Sequence, residues 1–174
     1  MGVPPRGEGS GPIGRLFLNG LVSRAFSYML QISLPLVAVS YSVLAPKLAG
    51  LSTLALWASG GAAVVVAARW RSTRFLEASL AAMPPVSLLG ILGGRFLLAS
   101  FVALYFLVAA VSAYLMPLSF VVGNARGTTY YTAGISAGLL LGVLFQLVAA
   151  SSPRYYLYVP FSFALSLATW LLFP

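Results

Sequence analysis

Between Ala25 and Ala68 the chain carries a single charged residue, Lys47, and this near-absence of charge decides what it can fold into. A charge at the centre of a bilayer costs about 3 kcal/mol or more, and an apolar run of ~20 residues is what crosses a ~30 Å hydrocarbon core. Two such runs flank Lys47: about 25–45, with Gln31 and Pro35 inside it, and about 48–68, with Gly60 and Gly61. Pro46, Lys47 and Gly50 read as a tight turn, so the pair forms an antiparallel hairpin. Over the whole sequence 60% of residues are hydrophobic and 7% are charged, against about a quarter charged in a soluble domain. The expected fold class is all-α, a polytopic membrane helical bundle.

The remaining charges define where water is. Arg69, Arg71, Arg74, Glu77 and Arg95 fall in one stretch, and Glu77 is the only acidic residue beyond Glu8. The net charge of +8 in a soluble protein would point to nucleic acid. Here basic residues in short loops mark a cytoplasmic side, and no basic stripe with interleaved aromatics is long enough to follow a phosphate backbone. The chain has no cysteine, histidine or aspartate. Disulfides, thiolate metal sites and histidine-held haem are excluded, as are triads built on His and Asp. No expected span holds an acid, which argues against a proton-coupled carrier. No enzyme activity and no cofactor are expected of the chain by itself.

Taken in order, residues 1–15 read as a loosely ordered tail with Gly, Pro, Arg6, Glu8 and Arg15. From Leu16 to Arg24 apolar and polar residues alternate at helical spacing, as in a short amphipathic helix lying at the interface. Residues 1–24 therefore form a tail plus interfacial helix, and 25–174 a single transmembrane domain. A signal peptide is the competing reading of this start, but no good Ala-x-Ala site precedes Lys47. After the charged stretch, Ala78–Gly94 is apolar yet short for a span and is broken by Pro84-Pro85. Phe75–Met83 is expected as a short helix along the cytoplasmic surface, ended by the diproline, within a cytoplasmic loop 69–87. The third span then runs about 88–116, with Arg95 snorkelling near its cytoplasmic end. If this segment crossed by itself, Arg95 would move outside and the parity of every later span would flip.

Pro117–Thr129 reads as a polar connection. The fourth span, about 130–150, carries Gly134, Gly138 and Gly142 at four-residue spacing, a smooth face for close helix packing. Packing within the chain is its first reading and a dimer interface the second. The fifth span is about 155–173. Tyr130, Tyr131, Tyr155, Tyr156, Tyr158 and Trp170 lie near span ends, as interfacial aromatics do. With the N-terminus inside, eight arginines (6, 15, 24, 69, 71, 74, 95 and 154) face the cytoplasm and Lys47 and Arg126 face out. The expectation is about five spans, N-terminus cytoplasmic and C-terminus outside, in the plasma membrane of a prokaryote.

From Thr73 to Arg95 the residues Leu76-Glu77, Leu80, Pro85-Val86-Ser87 and Gly94-Arg95 stand in an order that resembles the cytoplasmic loop and following span of ABC-2-type permeases. These are the membrane subunits of ATP-driven exporters, and the family includes the haem-exporter membrane subunit used in cytochrome c assembly. Its pattern is like Gly-Thr-Leu-Glu, apolar residues, Pro-Val-Ser, apolar residues, then Gly-Lys or Gly-Arg. Phe75 stands where that pattern has Thr or Ser, and the family commonly has six spans with both termini inside. The resemblance implies a coupling helix, Phe75–Met83, seated in a separate ATP-binding cassette subunit. Arg71, Thr73, Arg74, Leu76, Glu77, Leu80, Pro85, Val86 and Ser87 would form the partner contact. In it Glu77 offers charge-assisted contacts and Leu76 and Leu80 the buried anchor. The bland alternative is that the arginines only set topology and that Glu77 pairs with one of them, for ~0–1 kcal/mol.

The function expected from this resemblance is a permease subunit of an ABC-type exporter, working as a homo- or hetero-oligomer in the lipid bilayer. The sequence has no Gly-x-x-x-x-Gly-Lys-Ser/Thr motif, so the ATPase is a separate polypeptide. Apolar, serine-dotted spans suit a lipid-like, drug-like or porphyrin cargo better than a small ion. The other class to hold against it is a structural or accessory subunit of a respiratory or secretion complex. A self-contained channel ranks last for want of a polar lining.

Overall fold

Backbone N–H and C=O groups placed in lipid must be paired within their own segment, so apolar runs of this kind form helices. The computed structural model describes residues 10–40, 45–70, 72–150 and 157–172. They form α1 (Ser10–Ser40), α2 (Ala45–Trp70), α3 (Thr73–Leu88), a 3-10 turn (Leu89–Leu92), α4 (Gly94–Ala150) and α5 (Tyr158–Leu171). Four segments are long and apolar enough to cross a membrane: Ile13–Val39, Ala49–Trp70, Thr73–Leu92 and Gly94–Leu147. The chain is an all-α membrane bundle.

α4 is two helices in one. Asn124 interrupts it with φ 51° and ψ −143°, a conformation that glycine adopts freely and other residues resist. The second limb doubles back along the first. A Cβ on Gly127 would collide with the Ser119 carbonyl oxygen, and Ser112 on the first limb reaches the Tyr131 hydroxyl on the second.

The same logic gives the direction of every helix. Gln31 pairs with Tyr105, so α1 runs antiparallel to the first limb of α4. Ser59 meets the Val102 carbonyl and Ser72 meets Tyr114, so α2 runs parallel to that limb. Gly90 lies against Leu97 and Val159, which places the far end of α3 beside the start of α4 and of α5. The described residues thus run back and forth as six helical segments: α1, α2, α3, two limbs of α4, and the shorter α5 of 14 residues. Arg15, Arg69, Arg74 and Arg126 stand at or near one end of the bundle. Lys47 and Arg95 stand at the other.

Close packing of α1 on the second limb of α4 holds the centre. Lipid is as apolar as leucine, so helices associate in it through van der Waals fit rather than through release from water. Gly134, Gly138 and Gly142 are buried, and they meet Phe17, Leu21 and Ala25 in that order. A Cβ on Gly134 or Gly138 would collide with the carbonyl oxygen of Phe17 or Leu21. The two backbones are therefore in direct contact, and the glycine face is used within the chain. Further along, Gln146 Nε2 donates to Ser33 Oγ at 2.7 Å and to the Met29 carbonyl at 3.3 Å.

α5 packs on α3 through small hydroxyl residues. Ser79 and Ser87 of α3 and Ser162, Ser166 and Thr169 of α5 are all buried. Each hydroxyl is satisfied by a carbonyl three or four residues back on its own helix, so the interface stays polar yet close. At the lysine end, Phe145 stacks on Phe161 at 4.1 Å, and Tyr158 sits edge-on to both Phe145 and Phe101.

Several expected boundaries differ. The tail and interfacial helix expected to Arg24 and the first span are one unbroken helix from Ser10, because Leu16, Asn19 and Gly20 are buried in the bundle rather than laid along a surface. The diproline does not end α3. The helix passes through Pro84-Pro85 and tightens into the 3-10 turn, as proline in a span can when neighbouring helices support the freed carbonyls. Phe75–Met83 thus begins a pass through the bundle instead of lying as a surface helix in a loop 69–87. The next helix starts at Gly94, after Gly93 and Gly94 turn the chain with φ 69° and 50°. Arg95 consequently stands at the end opposite Arg69. The described residues form five α-helices, of which α4 is folded back on itself at Asn124, and the last of them ends at the arginine end where α1 starts. Pro117–Thr129, expected as a polar connection, is helical apart from Asn124. Tyr131 and Tyr158 are buried rather than interfacial, whereas Tyr130 and Trp170 are exposed. Tyr155 and Tyr156 lie outside the described residues.

Two outcomes follow from this packing. Gly138→Val is expected to lower stability by about 1–3 kcal/mol, the usual effect of overpacking, whereas Gly61→Ala, with open space around it, leaves stability unchanged. Asn124→Gly is expected to stabilise by about 1 kcal/mol, since it relieves a backbone state only glycine tolerates. Thermal unfolding in a fixed mild detergent reads both.

Candidate functional site: an arginine-end turn and a side cleft

α3 divides the residues expected to meet a partner. Thr73, Arg74 and Glu77 are exposed, and their spacing of one and four places them on one outer face of its first turns. Leu76 and Leu80 point the other way and join the core with Met83. That split is a consequence of the fold: a helix inside a bundle must turn its apolar stripe to its neighbours. Pro85 is exposed, Val86 half-buried and Ser87 buried, with Ser87 Oγ donating to the Pro84 carbonyl at 2.6 Å. These three lie two to three turns further into the pass, away from Glu77. Arg71 lies outside the described residues.

What remains at the aqueous turn is Arg69, Trp70, Thr73, Arg74 and Glu77. Trp70 is exposed and sits edge-on to Phe75 at 5.8 Å between ring centres. The Ser72 N–H donates to the Tyr114 hydroxyl at 3.1 Å, which fastens the turn to the first limb of α4. Among the described residues Glu77 makes no ion pair.

A second feature sits nearby. Asn19, Ser23, Ser27 and Gln31 repeat at four-residue intervals on α1, and the first three are buried. They form a polar stripe that winds inward from the arginine end. The stripe borders a cleft of about 470 Å³ between α1, α2 and both limbs of α4. Ser23, Arg24, Ser27, Ser112 and Tyr131 supply its polar groups, and Val64, Ala109 and Ile135 part of its apolar wall. The Tyr131 hydroxyl lies within reach of Ser23 and Ser112. At the inner end Gln31 Nε2 donates to the Tyr105 hydroxyl at 2.7 Å, and Gly60 leaves room for the Tyr105 ring.

Sequence reasoning placed Asn19, Ser23 and Arg24 on the wet face of an interfacial helix and found no polar lining in the spans. The signal was present in the four-residue repeat that continues to Gln31. What was missing is that the wet face turns toward α4, which only the doubling back at Asn124 brings alongside. Among the described residues the cleft brings together hydroxyls, one guanidinium and apolar groups.

Replacing Tyr105 with Phe removes the side-chain bond that joins Gln31 to the first limb of α4. A loss of about 1 kcal/mol is expected, together with increased amide exchange near Gln31, measured by hydrogen–deuterium exchange in detergent.

Comparison of the chain with family models, with curated proteins and with solved structures gave no match in any of the three.

Proposed function

We propose that the chain is the membrane permease subunit of an ABC-type, ATP-driven exporter. Its ATP hydrolysis is done by a separate polypeptide docked on the arginine end. In this reading that end is cytoplasmic and the membrane is the plasma membrane of a prokaryote. The orientation rests on charge: arginines 15, 69, 74 and 126 stand at one end against Lys47 and Arg95 at the other, the bias expected when the more basic end faces the cytoplasm.

What supports the reading is that the described helices alternate in direction, so that the first begins and the last ends at the same, arginine-rich end. An alternation of that kind is common among the permeases the Thr73–Arg95 stretch resembles. The side cleft adds support, since an exporter of amphipathic cargo needs a place where polar and apolar groups meet within the bundle. The partner contact is narrower than the resemblance implied. Arg69, Trp70, Thr73, Arg74 and Glu77 make it, with Trp70 as its apolar anchor in place of the inward-facing Leu76 and Leu80.

The inward turn of those two leucines favours a second reading, an accessory subunit of a respiratory or secretion complex, which needs no coupling element. One experiment separates the two. The chain is purified from native membranes in gentle detergent beside Glu77→Arg, and the companions are identified by mass spectrometry. A P-loop ATPase held by the wild type and lost with Glu77→Arg is the expected result. A constant set of membrane or redox subunits without an ATPase, indifferent to the substitution, would replace the exporter with the accessory subunit.

A further inference from the structure

Among the described residues Arg24 is a charge without a counter-charge. Its Nε is fully shielded and has no hydrogen-bond partner, and its Cβ packs beside Gly138. The described residues contain one carboxylate, Glu77, which is exposed on the outer face of α3. Everything polar around Arg24 in the cleft is neutral: Ser23, Ser27, Ser112 and Tyr131, with the Ser23 and Ser27 hydroxyls donating to the Gly20 and Ser23 carbonyls at 3.3 and 2.9 Å. One turn up the same stripe, Asn19 is completely buried with neither its amide nitrogen nor its oxygen paired. Buried polar groups are normally satisfied, and a shielded guanidinium atom without an acceptor is unfavourable enough to call for an explanation.

The depth of Arg24 says which acceptor fits. On one side of the bundle Gln31 is level with Tyr105, and Ser23 with Ser112. On the other Ser59 is level with Val102, and Ser72 with Tyr114. Interpolated on the shared α4 limb, Arg24 stands near the level of Arg69, the last turn of α2. Arg69 is the first charge after the apolar run of α2, and a charge at that level belongs where hydrocarbon gives way to headgroups. From there the cleft continues toward Tyr105, walled by Val64, Ala109 and Ile135. Its mouth is on the flank of the bundle, where Val64, Met116 and Pro117 are exposed.

We propose that this cleft binds an anionic phospholipid that enters sideways from the bilayer. The phosphate is held by the Arg24 guanidinium with the Tyr131 hydroxyl, and with Ser23 once its hydroxyl turns from the long 3.3 Å bond to the Gly20 carbonyl. The first methylenes of an acyl chain lie along Val64, Ala109 and Ile135. The planar fork of arginine suits a phosphate in a way that a lysine ammonium does not, and charge-assisted bonds at the edge of a low-dielectric core are the stronger kind. Volume agrees, since 470 Å³ lies in the range of ligand pockets and holds a headgroup with part of a chain rather than a bare ion. The proposal holds whether the chain is a permease or an accessory subunit, because it uses neither the Glu77 turn nor an ATPase.

The test uses the full chain reconstituted in nanodiscs of phosphatidylcholine with a small fraction of phosphatidylglycerol, with retained lipid counted by native mass spectrometry. Wild type is expected to retain phosphatidylglycerol over phosphatidylcholine. Arg24→Gln is expected to weaken that preference about tenfold or more, and Arg24→Lys by less. Arg69→Gln, at the same depth but outside the cleft, leaves it intact. Ala109→Phe, which fills the cleft and keeps the charge, removes it too, so a poorly folding Arg24 variant does not leave the matter open. Equal retention by Arg24→Gln and Ala109→Phe overturns the site. Displacement of the lipid by millimolar glycerol phosphate, with no dependence on acyl chains, overturns the lipid as its occupant.

Discussion

The direct contact between the backbone of α1 and the glycine face of the second α4 limb is the constraint on which the remaining architecture hangs. In lipid a helix pair gains nothing from hiding apolar surface, so closeness of fit is what is left to select one neighbour over another. Gly134 and Gly138 allow an approach that no other residue would permit, and Gln146 extends the same seam by bonding Ser33 and Met29. Once the second limb lies along α1, the first limb must return antiparallel beside it. Asn124 is where that reversal is made, in an unfavourable backbone state that the packing on both sides outweighs. The cleft then arises as the space the two limbs, α1 and α2 enclose.

Hydrogen-bond satisfaction is the second organising constraint, and it explains the fate of α3. A polypeptide cannot leave carbonyls open to hydrocarbon, yet Pro84 and Pro85 each remove a donor. The chain responds by keeping helical geometry, tightening into the 3-10 turn and placing the segment against α5, whose small hydroxyl residues let the two backbones come close. A solvent-exposed helix would more readily have ended at the diproline. The protein environment made it a pass, and that single change reversed the side on which Arg95 and every later segment fall. The arginine count still favours one end, because Arg126 moves to the basic end as Arg95 leaves it.

The candidate site was half legible. Arg69, Thr73, Arg74 and Glu77 stand at an aqueous turn, as charges between apolar runs must, and that follows from solvation alone. Leu76 and Leu80 carry the same apolar pattern whether a helix faces a partner protein or its own bundle, so periodicity could not say which. Arg24 was expected at the edge of the membrane from its charge, and the structure places it within the long helix α1, beside the cleft. What charge and spacing could not reveal is that its shielded side faces a cleft holding only neutral donors, because the walls of that cleft come from residues some forty, eighty and a hundred positions away in the chain.

Composition and hydropathy by themselves determined that this is a helical membrane protein and that its charged turn around Arg69–Glu77 meets water. They did so because transfer of charge and of unpaired backbone into hydrocarbon is unfavourable whatever the neighbours are. The number of passes, the partner of the glycine face and the existence of the cleft were decided only by the tertiary structure. These depend on which helix lies beside which, on differences in packing and hydrogen bonding of a few kcal/mol that no local pattern of residues encodes.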